Sequence, residues 1–91
     1  MTTRYRDITD IVAQILQSAA QGEGITKTQI MYKAFLSFEQ LKKYLPLLIK
    51  DGLLDYDDRN ERLYTVTEKG IKFLQKYEQI SEYMPAMPED Y

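Results

Sequence analysis

The chain has 91 residues, of which 44% are hydrophobic and 29% are charged. This length suits one domain with a single modest core and leaves little room for a separate catalytic site. The sequence contains no cysteine and no histidine, which excludes disulfides, zinc fingers and histidine-based catalysis. The acidic residues also show no spacing that would pair two of them in a pocket. We therefore expect no enzyme, no metal and no other cofactor.

The N-terminal residues 2–7 are too polar for the core of a signal peptide, and no apolar run is long enough to span a bilayer. We expect a cytoplasmic protein without a membrane partner.

The formal net charge of −2 hides a strong segregation of charge. Residues 26–50 contain five lysines and one acid, a net charge of +4. Residues 51–61 contain five acids and one arginine (−4), and residues 78–91 contain four acids and no base (−4). The basic segment is typical of a surface that contacts nucleic-acid phosphates. Chance clustering on a solvated surface is the alternative.

The first periodic segment, about residues 4–20, predicts a helix that Gly22 and Gly24 end. Its apolar face repeats at helical spacing and consists of Ile8, Ile11, Val12, Ile15, Leu16 and Ala19.

Two helix starts follow within eleven residues. Thr26 precedes Gln29, and Ser37 precedes Gln40, each pair at the spacing of a capping box. The first of these helices is short, closes near residue 35 or 36, and turns Ile30, Met31 and Ala34 inward. Two helices joined by so short a turn predict a helix-turn-helix.

The third helix is predicted over residues 38–50, with Gly52 as its stop. The helical period predicts that five of its side chains face the core: Phe38, Leu41, Leu45, Leu48 and Ile49. Its outward side holds Glu39, Gln40, Lys43, Leu47 and Lys50, and its flanks hold Lys42 and Tyr44. Pro46 is expected to bend the helix; a break at Tyr44 is the less favoured alternative, because the apolar period continues to Ile49.

Two short β-branched and aromatic stretches, residues 53–56 and 62–66, flank a polar turn at residues 57–61. They predict a β-hairpin, and a hairpin placed directly after a helix-turn-helix is a wing.

A last helix, capped by Thr67, is predicted over about residues 67–84. One set of its apolar residues is spaced four, three and four positions apart, as in the seam of a coiled coil. This spacing predicts dimerisation through Phe73, Tyr77, Ile80 and Met84. Packing of these side chains on the first helix of the same chain is the alternative. Residues 85–91 predict a disordered acidic tail. The fold is therefore expected to be mainly α with a small hairpin, a single winged helix-turn-helix domain over residues 4–84.

Four runs, residues 28–34, 36–45, 52–54 and 65–70, occur in order and at the expected separation. Together they resemble archaeal winged-helix proteins, namely the small predicted transcriptional regulators and the related ten-kilodalton archaeal chromatin proteins. The resemblance implies DNA binding by the third helix and the wing, and dimerisation through the last helix. The chain departs from the chromatin-type members in its overall acidity and its short last helix, which favours a sequence-specific regulator.

Within this scheme Gln40 and Lys43 are the candidates for base edges, because glutamine can pair with adenine and lysine with guanine. Ser37 and the amides beside it could hold a phosphate. Phosphate contacts are predicted for Lys27, Lys33, Lys42, Arg59 and Arg62. Tyr32 and Tyr44 could serve either purpose, although Tyr44 could equally pack in the core. The predicted DNA-binding set is completed by Thr28, Glu39 and Asn60.

The acidic wing weakens the prediction that the wing contacts DNA, because Asp57, Asp58 and Glu61 would repel phosphate. Two alternatives to a sequence-specific homodimeric regulator therefore stay open: a winged-helix protein-interaction module without DNA binding, and a non-specific chromatin-type DNA-binding protein.

Overall fold

The computed structural model describes residues 7–20, 22–57, 59 and 62–83, with the backbone alone for 81–83. Its elements follow the predicted order of three helices, a hairpin and a fourth helix. They are α1 (Ile8–Ala19), α2 (Lys27–Lys33), α3 (Phe38–Lys50), β1 (Leu54–Asp57), β2 (Leu63–Val66) and α4 (Glu68–Tyr83). The predicted fold class is confirmed. The predicted acidic tail lies outside the described residues.

Both predicted capping boxes are present at the starts of α2 and α3. Thr26 Oγ1 accepts a hydrogen bond from the Gln29 amide (3.2 Å), and Gln29 Oε1 accepts one from the Thr26 amide (3.0 Å). Ser37 and Gln40 repeat this exchange at 3.1 and 2.9 Å. Each box satisfies amides that a helix start leaves without an intrahelical acceptor.

The turn between α2 and α3 consists of residues 34–37. Phe35 lies in the left-handed region with φ 55°, and the Leu36 amide donates to the Met31 carbonyl (3.0 Å), which closes α2 with a bond of the Schellman type. The turn brings the two helices together and returns Leu36 to the core.

The hydrophobic core lies among all four helices and the first strand. Its fully buried large side chains are Ile15, Leu16, Ile30, Leu41 and Leu54. Three predicted core residues are instead exposed: Ile8 (65%), Phe38 (50%) and Ile49 (38%). Ile8 and Phe38 are the first residues of α1 and α3.

The buried side of α3 explains these differences. It is formed by Leu41, Tyr44, Leu45 and Leu48, so the core-facing arc of the helix includes Tyr44 and excludes Phe38 and Ile49. The helix continues through Pro46, and the alternative of a break at Tyr44 is wrong. Pro46 is exposed, so water can reach the Lys42 carbonyl that receives no hydrogen bond from position 46.

The wing hairpin is antiparallel, with Leu54 opposite Val66 and Asp57 opposite Leu63. It is joined to the segment before α2 by an isolated bridge that the sequence analysis did not predict. The Ile25 amide donates to the Tyr64 carbonyl (3.0 Å), and the Tyr64 amide donates to the Ile25 carbonyl (2.8 Å). This bridge holds the base of the wing beside the start of α2.

Helix α4 is fastened to the rest of the domain at both its start and its middle. Thr67 Oγ1 donates to the Gly52 carbonyl (2.6 Å) and accepts from the Gly70 amide (3.0 Å). Further along, the Tyr77 hydroxyl donates to Asp10 Oδ1 on α1 (2.5 Å).

Among the helices of the described residues, none combines the length and the apolar character that a membrane span requires.

Candidate nucleic-acid interface

The lysine face is the exposed surface of α2 and α3 that carries the five lysines of the basic segment: Lys27, Lys33, Lys42, Lys43 and Lys50. All five are exposed. Among the described residues, no acid forms an ion pair with Lys27, Lys42, Lys43 or Lys50. Lys27, Lys42 and Lys50 line one groove beside α3, whereas Lys33 lies beside α1 with Gln14 and Phe35. The basic segment of the sequence is therefore exposed on the two helices of the helix-turn-helix, with three of its lysines gathered in one place.

Phe38 lies within the lysine face. Its ring is half exposed, and two ammonium groups approach it: Lys27 Nζ at 4.9 Å and Lys42 Nζ at 5.5 Å from the ring centroid. These distances are within the range of cation–π attraction. The ring thus brings together a lysine from the start of α2 and a lysine from α3.

An open groove of about 520 Å³ separates α3 from the base of the wing. Its floor is mainly apolar and its edge carries three lysines; it is lined by Lys27, Leu41, Lys42, Leu45, Pro46, Ile49, Lys50 and Tyr64. Tyr64 also packs on Tyr56 with ring centroids 4.6 Å apart. Burial, and after it the neighbouring Tyr56, raises the pKa of Tyr64, so the Tyr64 phenol stays neutral at ordinary pH.

Gln40 is placed at the start of α3, but one of its two polar atoms is already engaged. Its Oε1 accepts the Ser37 amide at 2.9 Å, whereas bidentate pairing with adenine uses both the oxygen and the nitrogen of a glutamine amide. Lys43, one turn further along, is exposed; its ammonium lies 5.6 Å from the centroid of the Tyr44 ring.

Tyr44 itself is only 8% exposed and belongs to the core. The prediction that it could contact DNA is corrected by this burial, because its ring packs against the domain interior. The other tyrosine of the predicted set, Tyr32, is 70% exposed on α2. Thr28 and Glu39 are exposed near the starts of α2 and α3.

The two predicted wing arginines differ in their surroundings. Asp57 Oδ1 accepts the Arg59 amide (2.9 Å) and lies 3.4 Å from Arg59 Nε. The Arg59 amide hydrogen bond is the main cause that lowers the pKa of Asp57, and the Arg59 side chain adds to it. Arg62 is exposed with φ 54°. Asn60 lies outside the described residues.

Two of the predicted dimerisation residues take part in the packing of the domain itself. Phe73 and Tyr77 are half-buried against the core, with parallel rings 6.5 Å apart, as in the alternative in which they pack within one chain. Ile80 is 62% exposed. Met84 lies outside the described residues.

Sequence reasoning missed Phe38 as part of the exposed surface. The available signal was its position directly after the N-cap Ser37, since the first residue of a helix often lies beyond the packed turns. In the described part of the chain, no group of three or more acidic side chains is placed to hold a metal ion.

Two helices joined by a tight turn, a preceding helix that packs on them and a hairpin beside α3 define a winged helix-turn-helix protein. Residues 5–84 match the family model described as winged helix-turn-helix, and the chain belongs to this family.

The chain is also similar to two individual proteins. It is 32% identical over 79 residues to an uncharacterized protein of Methanocaldococcus jannaschii, covering 87% of this chain and 77% of that protein. Its structure is similar to the crystal structure of Sso10a-2, a DNA-binding protein from Sulfolobus solfataricus, with a TM-score of 0.74 and 29% sequence identity. That match covers 85% of this chain and 80% of the other. Both relatives come from archaea, and the resemblance to archaeal winged-helix proteins is confirmed.

Proposed function

We propose that this protein is a sequence-specific transcriptional regulator that binds double-stranded DNA in the cytoplasm as a homodimer, with α3 in the major groove. The observation that carries the proposal is the lysine face: its cations lie exposed on the two helices of the helix-turn-helix. Sso10a-2, whose crystal structure is similar to this one, is described as a DNA-binding protein, and this supports the same assignment. We propose no catalytic role.

In the proposed complex α3 enters the major groove, which is wide enough to admit a helix. Lys43 lies on its exposed side and is assigned to guanine acceptors. Lys42 on α3 and Lys27 and Lys33 on α2 are assigned to phosphates, which set the register of the protein on the duplex without reading sequence. The capping box engages the Ser37 and Gln40 amides, so at this helix start, where a phosphate is favoured, the phosphate is assigned to the Phe38 and Glu39 amides that lie between them.

The wing contributes less than the helices in this proposal. Arg59 donates its amide to Asp57 and forms an ion pair with it. The nearby carboxylate weakens the attraction of the Arg59 side chain for a phosphate. Arg62 is exposed and is the better phosphate contact. The other acids of the hairpin sequence, Asp55, Asp58 and Glu61, repel the phosphates and so disfavour a close approach of the wing to the DNA backbone.

The dimer is assigned to α4, where Ile80 is exposed and Phe73 and Tyr77 retain part of their surface. Two-fold pairing would present two α3 helices to half-sites about one helical turn apart. Sedimentation velocity at micromolar concentration tests it. We expect a dimer that Ile80→Glu dissociates and that Gln79→Glu, at an exposed neighbouring position, does not dissociate. A monomeric wild-type protein would refute this part of the proposal.

The central experiment is selection of bound sequences from random DNA, followed by fluorescence anisotropy at rising salt concentration. We expect an enriched palindrome and an affinity that falls log-linearly with salt. Lys43→Ala should weaken binding to the selected sequence by about 1–3 kcal/mol. Lys76→Ala, which removes an exposed lysine of α4 outside the lysine face, should leave it nearly unchanged. Equal losses in the two variants would remove α3 from its assigned role.

A protein-interaction module is the second candidate, favoured by the exposed Leu47 (49%) on α3 and the exposed acids Asp55 and Asp57 on β1. It predicts no salt-dependent retention on DNA at all. A chromatin-type protein would bind, but the selection would enrich no sequence. The same experiment therefore separates all three functions.

A further inference from the structure

Phe38 is a large apolar side chain placed at the end of α3 from which recognition helices contact bases. It directly follows the N-cap Ser37, and in helix-turn-helix complexes the N-terminal residues of the recognition helix reach the base edges. Half of its surface is exposed, although the core takes up most of the other apolar side chains of α3. The exposed ring therefore lies at the part of the helix that approaches the bases first.

The surroundings of the ring are cationic. Lys27 Nζ and Lys42 Nζ lie 4.9 and 5.5 Å from its centroid, and in the described structure neither lysine is paired with an acid. Two ammonium groups that can bind phosphate thus lie beside one apolar ring. A phenyl ring has no conventional hydrogen-bond donor or acceptor, so among the groups exposed in the major groove its natural partner is the 5-methyl group of thymine.

We infer that Phe38 reads a thymine through its 5-methyl group, while Lys27 and Lys42 bind phosphates on either side. This inference rests on the proposed function, because it requires α3 to lie in the major groove. It adds a specificity-determining residue on the wing side of α3, whereas Lys43 reads from the solvent-facing side. The competing explanation is that the ring only supports the two lysine side chains.

The test uses the intact protein and the sequence obtained by selection. Each thymine of that sequence is replaced in turn by deoxyuridine, which differs only in lacking the 5-methyl group. For the wild-type protein we expect one position per half-site to lose about fourfold in affinity. A fourfold loss in affinity corresponds to about 0.8 kcal/mol, the free energy expected for burying one methyl or methylene group.

Phe38→Ala should bind the thymine and deoxyuridine duplexes with equal affinity. Leu47→Ala is the matched control, because Leu47 is equally exposed (49%) on the same helix; it should keep the fourfold preference. Phe38→Leu retains an apolar side chain and should keep most of the preference. Circular dichroism verifies that each variant is folded, and Phe38→Gln replaces the alanine variant if that one fails to fold.

The outcomes separate this inference from the proposed function. Failure of the wild-type protein to bind any duplex overturns both. Salt-dependent, sequence-selective binding with no sensitivity to deoxyuridine overturns the inference and leaves the proposed function standing. A thymine preference that survives in Phe38→Ala likewise overturns the assignment to Phe38.

Discussion

Replacement of Gly70 by alanine tests how α4 is docked on the wing. In the interior of an isolated helix, alanine is favoured over glycine by about 1 kcal/mol. At Gly70, however, an ideal Cβ would lie 2.6 Å from Val66 Cγ2 and closer still to the carbonyl oxygen of Leu53. Gly70 is buried, so the added methyl group cannot turn away into solvent. Close packing therefore opposes helix propensity at this position.

The expected magnitude follows from these two effects. Overpacking of a tight site costs about 1–3 kcal/mol. We expect the upper half of that range, because the Leu53 carbonyl is backbone and accepts the Thr67 amide at 3.1 Å, so it cannot shift without loosening the start of α4. After the gain in helix propensity of about 1 kcal/mol, the net loss is about 1–2 kcal/mol. In a domain of this size that lowers the Tm by about 4–16 °C.

Urea unfolding followed by circular dichroism measures this change. Gln75→Ala, at an exposed position of the same helix, is the control and should stay within about 0.5 kcal/mol of the wild type. A Gly70→Ala protein as stable as the wild type, or more stable, would refute the reasoning, because it would mean that α4 has room to move away from the hairpin.

Three further predictions concern α4, the wing and the start of α3. Tyr77→Phe removes the hydroxyl that donates to Asp10 at 2.5 Å and, because the acceptor is a carboxylate, should cost about 1.5–3 kcal/mol in urea unfolding. Asp57→Asn combined with Asp58→Asn removes two negative charges from the wing and should raise the affinity for non-specific DNA in low-salt anisotropy. Gln40→Glu keeps an oxygen that can accept the capping amide but removes the amide donor. It should therefore preserve stability and, because the cap already holds the Gln40 side chain, leave the base preference of a repeated selection unchanged; a preference lost at one base position would instead assign Gln40 to adenine recognition.

Each of these predictions has its own control. Asp10→Asn in the Tyr77→Phe background should add little, and full additivity of the two losses would contradict the assigned hydrogen bond. Asp55→Asn combined with Glu78→Gln also removes two negative charges, at exposed positions outside the wing turn, and should raise the DNA affinity less than the double wing variant; an equal rise would indicate a general effect of net charge. For Gln40→Glu, a lower affinity with an unchanged sequence preference would assign Gln40 to capping alone, since the added negative charge weakens binding to all sequences alike.

Local features of this fold could be predicted from sequence because their causes are local. The capping boxes at Thr26 and Ser37 depend on residues three positions apart, and both formed as expected. The hairpin and α4 were also predicted, since a change of period and a polar turn mark them directly. What failed were positions whose surroundings come from elsewhere in the chain. Phe38 and Ile49 share a helix side with core residues by period alone, but the other elements cover only the arc centred on Leu41 and Leu48, which extends to Tyr44 and Leu45.

The bridge between Ile25 and Tyr64 had no sequence signal, because it joins residues far apart in the chain by two backbone hydrogen bonds. Gly24, with φ 126° and an ideal Cβ position only 3.0 Å from Thr65 Cγ2, is the residue that permits this close approach. In the sequence Gly24 indicates only the end of α1. Its second role becomes visible when the hairpin is placed beside it.

The start of α3 combines stability and recognition in the same few residues. Gln40 uses its oxygen to cap the helix, and although that oxygen has a second lone pair, the cap holds the amide group against the Ser37 backbone. Turning the amide group away to pair with adenine would break this hydrogen bond, at a cost of about 0.5–1.5 kcal/mol. Phe38 and Lys43 have no such commitment to a cap. In the proposed complex, discrimination between bases is therefore expected to come mainly from the methyl contact of Phe38 and the ammonium of Lys43, while Gln40 keeps the helix end that presents them in place.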